Sequence, residues 1–214
     1  MYQTILFDLD GTLTDSAPGV IHSVQYALKK YGITEAYENL QCFIGPPLIQ
    51  SFQKFYGFDH EKAAEAVAYY REYYSAGGIF ENSVYPGIPE VLARLKKAEK
   101  YLAVATSKPE FFAKQVLDHF GLTGYFDFIG GALMDETRTT KEAVLAYTLT
   151  EMKIDPKTSV MVGDRENDAE AARALGVDCI GVLYGYGSRE ELAAAGCTVF
   201  AQQPNDVFRI ATES

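Results

Sequence analysis

Two kinds of apolar pattern alternate along most of this chain. Short unbroken apolar runs bounded by turn residues predict buried strands at Thr4–Phe7, Tyr101–Ala105, Phe126–Ile129, Ser159–Val162 and Cys179–Leu183, with a shorter one at Thr198–Ala201. Between them apolar residues recur every three or four positions, the spacing of a helix with one buried face. Ile88, Val91, Leu92 and Leu95 form one such stripe, and Val144, Leu145, Thr148, Leu149 and Met152 another, with Pro156 past its end. Pro109 opens a third helix that carries Phe112, Val116 and Phe120 and stops at Gly121. Strands that alternate with helices predict an α/β fold, a doubly wound parallel sheet covered on both faces.

One segment breaks the rhythm. Between Ser16 and Val84 there is no convincing strand, only helical stripes: Val20, Val24, Leu28 and Tyr31, then Ala63, Ala66, Val67, Tyr70 and Tyr74. Gly45-Pro46-Pro47 interrupts the block, and Gly77-Gly78 and Pro86-Gly87 close it. A helical block of about 65 residues is far longer than an ordinary connection between strands. The expected organisation is therefore a core of residues 1–15 plus 85–214, with residues 16–84 inserted as an all-helical cap domain over the C-terminal edge of the sheet.

Composition narrows the functional classes. A chain of 214 residues with 48% apolar content has ample material for a core, and a net charge of −10 argues against binding nucleic acid polymers or anionic membranes. The three cysteines, Cys42, Cys179 and Cys197, are far apart and form no C-x-x-C pair, which fits reduced thiols in a cytoplasmic protein. No apolar run approaches a membrane span, and no secretory signal precedes Asp8.

The chemistry begins at Phe7-Asp8-Leu9-Asp10-Gly11-Thr12, directly after the first strand. Side chains alternate along a strand, so Asp8 and Asp10 point to one side while Leu9 faces the other. Gly11 lets the backbone turn sharply. Paired carboxylates at such a strand end repel each other unless a cation neutralises them, and hard oxygen ligands suit Mg²⁺. Taken alone, the pattern is equally compatible with a solvated Asp-Gly turn. Other strand ends add to it. Thr106-Ser107-Lys108 follows the second strand, Lys141 lies at the start of the helix after the third, and Gly163-Asp164-Arg165-Glu166-Asn167-Asp168 follows the fourth. In one parallel sheet these ends converge on one edge, where open α/β sheets place their ligands. Carboxylates, a hydroxyl and a lysine gathered there predict a site for a phosphate and a metal. Lys108 reads either as a phosphate contact or as a solvated lysine at a helix start. The histidines His22, His60 and His119 lack metal-ligand spacing and read as surface or helix residues.

The order D-x-D-G-T, strand-Thr, Lys, G-D-x-x-x-D resembles the haloacid dehalogenase superfamily of phosphohydrolases over essentially the whole chain, with a Rossmann-like core. The insertion resembles the helical C1-type cap of the phosphoglycolate phosphatase and 5′-nucleotidase subgroup. The resemblance implies Asp8 as nucleophile, and Asp10 as general acid and base with its backbone carbonyl on Mg²⁺. It implies Asp164 as a direct metal ligand and Asp168 as a direct or water-mediated one that steadies Lys141. Thr106 and Lys141 would hold the phosphoryl oxygens. Gly11, Ser107, Gly45 and Arg71 would meet the substrate, a small phosphorylated metabolite, and the protein would act as a monomer or homodimer. A phosphomutase, a pyrophosphatase and a non-catalytic regulatory protein on the same fold stand as alternatives. No G-x-x-x-x-G-K-[ST] loop occurs, and Gly185-Tyr186-Gly187-Ser188 lacks the third glycine of a dinucleotide fingerprint.

Overall fold

A computed structural model describes residues 2–135 and 137–213. It opens on β1 (Thr4–Phe7) and a short β2 (Thr14–Asp15). Three helices follow: α1 (Ala17–Lys29), α2 (Leu48–Tyr56) and α3 (His60–Ala76). The chain then runs through β3 (Ser83–Val84), α4 (Ile88–Lys97), β4 (Tyr101–Pro109), α5 (Glu110–His119), β5 (Phe128–Ala132) and α6 (Lys141–Met152). It ends with β6 (Ser159–Gly163), α7 (Glu166–Leu175), β7 (Asp178–Val182), α8 (Arg189–Ala194), β8 (Val199–Ala201) and α9 (Pro204–Glu213). The chain divides into two compact units, Met1–Thr14 with Val84–Ser214, and Asp15–Ser83.

The first unit is built on a six-stranded sheet in the order β5-β4-β1-β6-β7-β8, and every neighbouring pair is parallel. β1 is Thr-Ile-Leu-Phe with all four residues buried, as befits a strand covered on both faces. Phe7 lies opposite Val104 of β4 and Val162 of β6, so the residues that follow each of these emerge together at one edge. The chain winds to opposite sides of β1, which puts a topological switch point beside it, where such sheets bind ligands. On one face Leu6, Ala103, Ala105 and Met161 of the sheet pack with Val144, Leu145 and Leu149 of α6 and Ala171 and Ala172 of α7. The fold is thus the expected α/β parallel sheet with flanking helices.

In the second unit α1 packs on α3. Val20, Val24 and Leu28 of α1 and Ala63, Ala66, Val67 and Tyr70 of α3 are buried. Asp59 caps α3 by accepting a 2.8 Å bond from the Lys62 amide, and Gly57 in left-handed conformation stops α2.

Several elements depart from the periodicity. β5 begins at Phe128 instead of Phe126, because Asp127 ends the approach: its carboxylate accepts the Leu102 amide at 2.8 Å while its own amide donates to the Leu102 carbonyl. β4 runs on through Lys108 to Pro109, and α2 and α9 form outside the predicted stripes. Tyr31 lies beyond the end of α1 and bonds back through its amide to the Leu28 carbonyl.

Candidate active site

Asp8 continues β1 by one rung, its amide donating to the Val162 carbonyl at 2.9 Å. The chain then folds back on itself. The Leu13 and Thr14 amides both donate to the Leu9 carbonyl, and Gly11 takes a φ of +81° that a side chain would resist. A Cβ on Gly11 would also stand 2.2 Å from the Asp164 carboxylate, so glycine is what lets the two strand ends approach.

Lys141 is the hub. As the first residue of α6 it follows the cap residue Thr140, whose hydroxyl accepts the Ala143 amide at 3.2 Å. Its ammonium lies 2.7 Å from Asp8 Oδ1 and 2.9 Å from Asp168 Oδ1, and donates to the Ala105 carbonyl at 3.1 Å. Burial works against the charge on this lysine, but the Asp168 and Asp8 carboxylates outweigh it and raise its pKa. Asp168 is fixed from the other side as the third residue of α7, where its Oδ2 accepts the Arg165 amide at 3.1 Å.

Asp164 follows β6 and is fully buried. Its Oδ2 accepts the Tyr186 amide at 2.8 Å and its Oδ1 the Thr12 hydroxyl at 3.3 Å. Burial, then the Asp168 and Asp8 charges, push its pKa well above the usual carboxylate range. Burial likewise pushes Asp8 up to about 6, against the pull of Lys141. Asp8, Asp164 and Asp168 each offer an oxygen, and these oxygens lie within 4.8 Å of one another. An all-oxygen donor set of three carboxylates, more negative charge than the one Lys141 ammonium offsets, fits a hard divalent cation such as Mg²⁺, whose charge would reverse the cause of the raised values.

Asp10 is held elsewhere. Its carboxylate oxygens lie 2.8 and 2.7 Å from the Lys108 ammonium, and among the described residues it is not part of the carboxylate triad. The solvated reading of Lys108 is corrected here: this lysine is buried. The cause lies in β4, where Thr106 pairs with Gly131 but Pro109 pairs with the very next residue, Ala132. Ser107 and Lys108 are thus extra in the ladder, and such a bulge re-aims side chains. The Thr106 hydroxyl accepts the Lys108 amide at 3.2 Å inside the bulge. Thr106 is buried and Ser107 half-buried at the same strand end.

Gly45 and Arg71 lie in the second unit, Gly45 at a φ of +102° before α2 and Arg71 half-buried on α3. His60 and His119 are the end residues of α3 and α5, and His22 on α1 lies 2.5 Å from Glu81. The sequence did not reveal the part played by the loop after β7. Besides the Tyr186 amide on Asp164, the Tyr184 hydroxyl donates to the Thr12 carbonyl at 3.1 Å. The Gly-x-Gly spacing was the signal, legible only as a turn.

Residues 5–182 match the family described as haloacid dehalogenase-like hydrolase. The chain is 47% identical over 194 residues to a 5′-nucleotidase of Pseudomonas aeruginosa, covering 90% of this chain and 88% of that one. It is 42% identical over 198 residues to the tyrosine-protein kinase PtkA of Mycobacterium tuberculosis, covering 92% and 67%. A phosphoglycolate phosphatase of Aquifex aeolicus is 34% identical, with 86% of each chain covered. Among solved structures, a predicted phosphatase from Clostridium acetobutylicum superposes with a TM-score of 0.98 at 45% identity over the whole of both chains.

Proposed function

Since this chain belongs to the haloacid dehalogenase-like hydrolase family, we propose that it is a Mg²⁺-dependent phosphatase that hydrolyses a small phosphomonoester through an aspartyl-phosphate. The observation that carries this reading is the Asp8–Lys141–Asp168 ion-paired centre with Asp164 beside it, at the C-terminal edge of β1 and β6. Asp8 attacks phosphorus and forms an acyl phosphate. The bond from phosphorus to the ester oxygen breaks, and that oxygen takes a proton from Asp10. Water then attacks the acyl phosphate, gives its proton to Asp10, and phosphate leaves as Asp8 is regenerated. A carboxylate nearing a phosphate dianion is opposed by about 8 kcal/mol at ~4 Å and an effective dielectric of ~20. Asp8, Asp164 and Asp168 would hold Mg²⁺, whose charge would offset this repulsion. Lys141 and the Thr106 hydroxyl hold the phosphoryl oxygens as their charge shifts.

Residues 15–83 are the cap in this reading and choose the part of the substrate beyond the phosphate, through Gly45 and Arg71. Nucleoside 5′-monophosphates come first, because the relative at 47% identity bears the name 5′-nucleotidase; phosphoglycolate comes second. The test is a panel of phosphomonoesters with Mg²⁺, run on wild type and Asp8→Asn. Phosphate release by wild type, abolished in a variant that melts normally, is the expected result. Undiminished turnover by Asp8→Asn overturns the assignment. A phosphotransfer arm, ATP with a tyrosine-containing peptide, tests the activity named for the 42% relative.

A further inference from the structure

We propose that Lys108 is a positioning residue whose ammonium holds the Asp10 carboxylate in place to serve the leaving group; the inference rests on the phosphatase reading above. Asp10 lies two residues beyond Asp8, past the bend at Leu9, near enough for its charge to act on Asp8. A carboxylate so placed has a competing fate as one more metal ligand, where its oxygens are lost to proton transfer. In the structure the Asp10 carboxylate is held on Lys108 instead. Both Asp10 oxygens rest on one ammonium at 2.8 and 2.7 Å, which fixes the carboxylate in plane as well as in distance.

The pair is well shielded, with the lysine side chain 5% and the aspartate side chain 13% exposed. Buried ion pairs add little stability relative to apolar residues of the same size, so stability alone is a weak reason for this one. The chain also departs from a regular ladder to make it, placing Ser107 and Lys108 in a bulge whose turn is tied by the Thr106 hydroxyl. One strand end thereby keeps the Thr106 hydroxyl within its bulge and sends a cation to Asp10 from Lys108. Lys141 and Lys108 divide three of the four carboxylates between them: Lys141 takes Asp8 and Asp168, and Lys108 takes Asp10, while Asp164 rests on the Tyr186 amide and the Thr12 hydroxyl.

The test compares Lys108→Met, Lys108→Arg, Asp10→Asn and the Lys108→Met/Asp10→Asn double variant on two esters. One is para-nitrophenyl phosphate, whose leaving group needs little help from an acid; the other is a simple alkyl phosphate, which needs it. Lys108→Met should lower kcat on the alkyl ester at least tenfold more than on the aryl ester, with KM for the aryl ester within twofold of wild type. Lys108→Arg, which keeps the cation, should recover part of the alkyl rate. In the Asp10→Asn background the Lys108→Met change should cost nothing further. Equal losses on both esters, or a loss that multiplies in full with that of Asp10→Asn, overturns the inference. Lys108→Gln, close in length and still a donor, replaces the methionine variant if that one melts early, with the same outcomes. A wild type that cleaves neither ester overturns the phosphatase reading itself, and the inference with it. Normal wild-type turnover with uncoupled variants overturns the inference alone.

Discussion

One ammonium paired with two buried carboxylates makes Lys141 the residue on which this centre most depends. Replacing it with methionine leaves Asp8 and Asp168 without their cation, and breaking a buried pair by removing one partner costs about 3–5 kcal/mol. Urea unfolding of Lys141→Met should show a loss of that order, partly recovered when Mg²⁺ is added. The raised pKa values give a second prediction. Asp8, pushed up to about 6, and Asp164, pushed higher than usual, hold protons in the folded metal-free protein that an ordinary carboxylate has already released. Protons and Mg²⁺ then compete for the same oxygens. The rise in melting temperature on adding Mg²⁺ should be small at pH 5 and grow through pH 6 to 7.5. A metal-induced shift that does not change over this range would contradict the shared site. Asp8 and Asp164 were readable because each directly follows a buried run, where a parallel sheet leaves little choice of direction, and Lys141 and Asp168 because each lies in the first turn of the helix that follows a strand. Lys108 was not: its burial follows from a bulge in the pairing of β4 with β5, and pairing register is a property of two strands that neither sequence carries alone.

At the level of elements, the loop after β7 joins the strand ends in holding Asp164, through the Tyr186 amide. A Cβ on Gly187 would stand 1.9 Å from the Asp164 carbonyl oxygen, and this contact is with backbone, which cannot swing aside. Gly187→Ala should therefore displace the loop, take the Tyr186 amide from Asp164 and weaken Mg²⁺ binding at least tenfold by calorimetry. Stability should fall by about 1–3 kcal/mol, as overpacking does. Mg²⁺ affinity equal to wild type would show that the loop does not set the carboxylate. The misplaced elements share a physical cause. Phe128-Ile129-Gly130-Gly131-Ala132 is poor in strand-forming residues and is a strand because β4 pairs with it, while Phe126 is apolar but packs edge-on against Phe7, outside the ladder. In α2 a run rich in aromatic residues hides the helical period: Phe52 is buried, yet Phe55 stays exposed. In α9 Val207 and Ala211 are buried on a single short helix, too brief a stripe to read with the chain about to end.

For the molecule as a whole, the second unit is one continuous segment, Asp15–Ser83, entered and left through β2 and β3, which pair in a sheet of their own. Segments with adjacent ends and their own core are the ones that proteins tolerate losing or exchanging. Replacing residues 15–83 with a short Gly/Ser linker should leave a core that unfolds cooperatively and binds Mg²⁺, while its preference among phosphomonoesters collapses toward that for para-nitrophenyl phosphate. A truncated core that keeps the full substrate preference would remove specificity from this segment. The position of β1 has a consequence in time. It is the first strand of the chain and also a central one, with β4 on one side beginning at Tyr101 and β6 on the other beginning at Ser159. During synthesis, at ~5–20 residues per second, the strand bearing Asp8 waits about 8–30 s before β6 begins. Nascent chains stalled before residue 159 lack the strand that delivers Asp164 and the amide ladder that seats Asp8. Until β6 is made, the Asp8 amide has no Val162 carbonyl to bond and no Asp164 beside it.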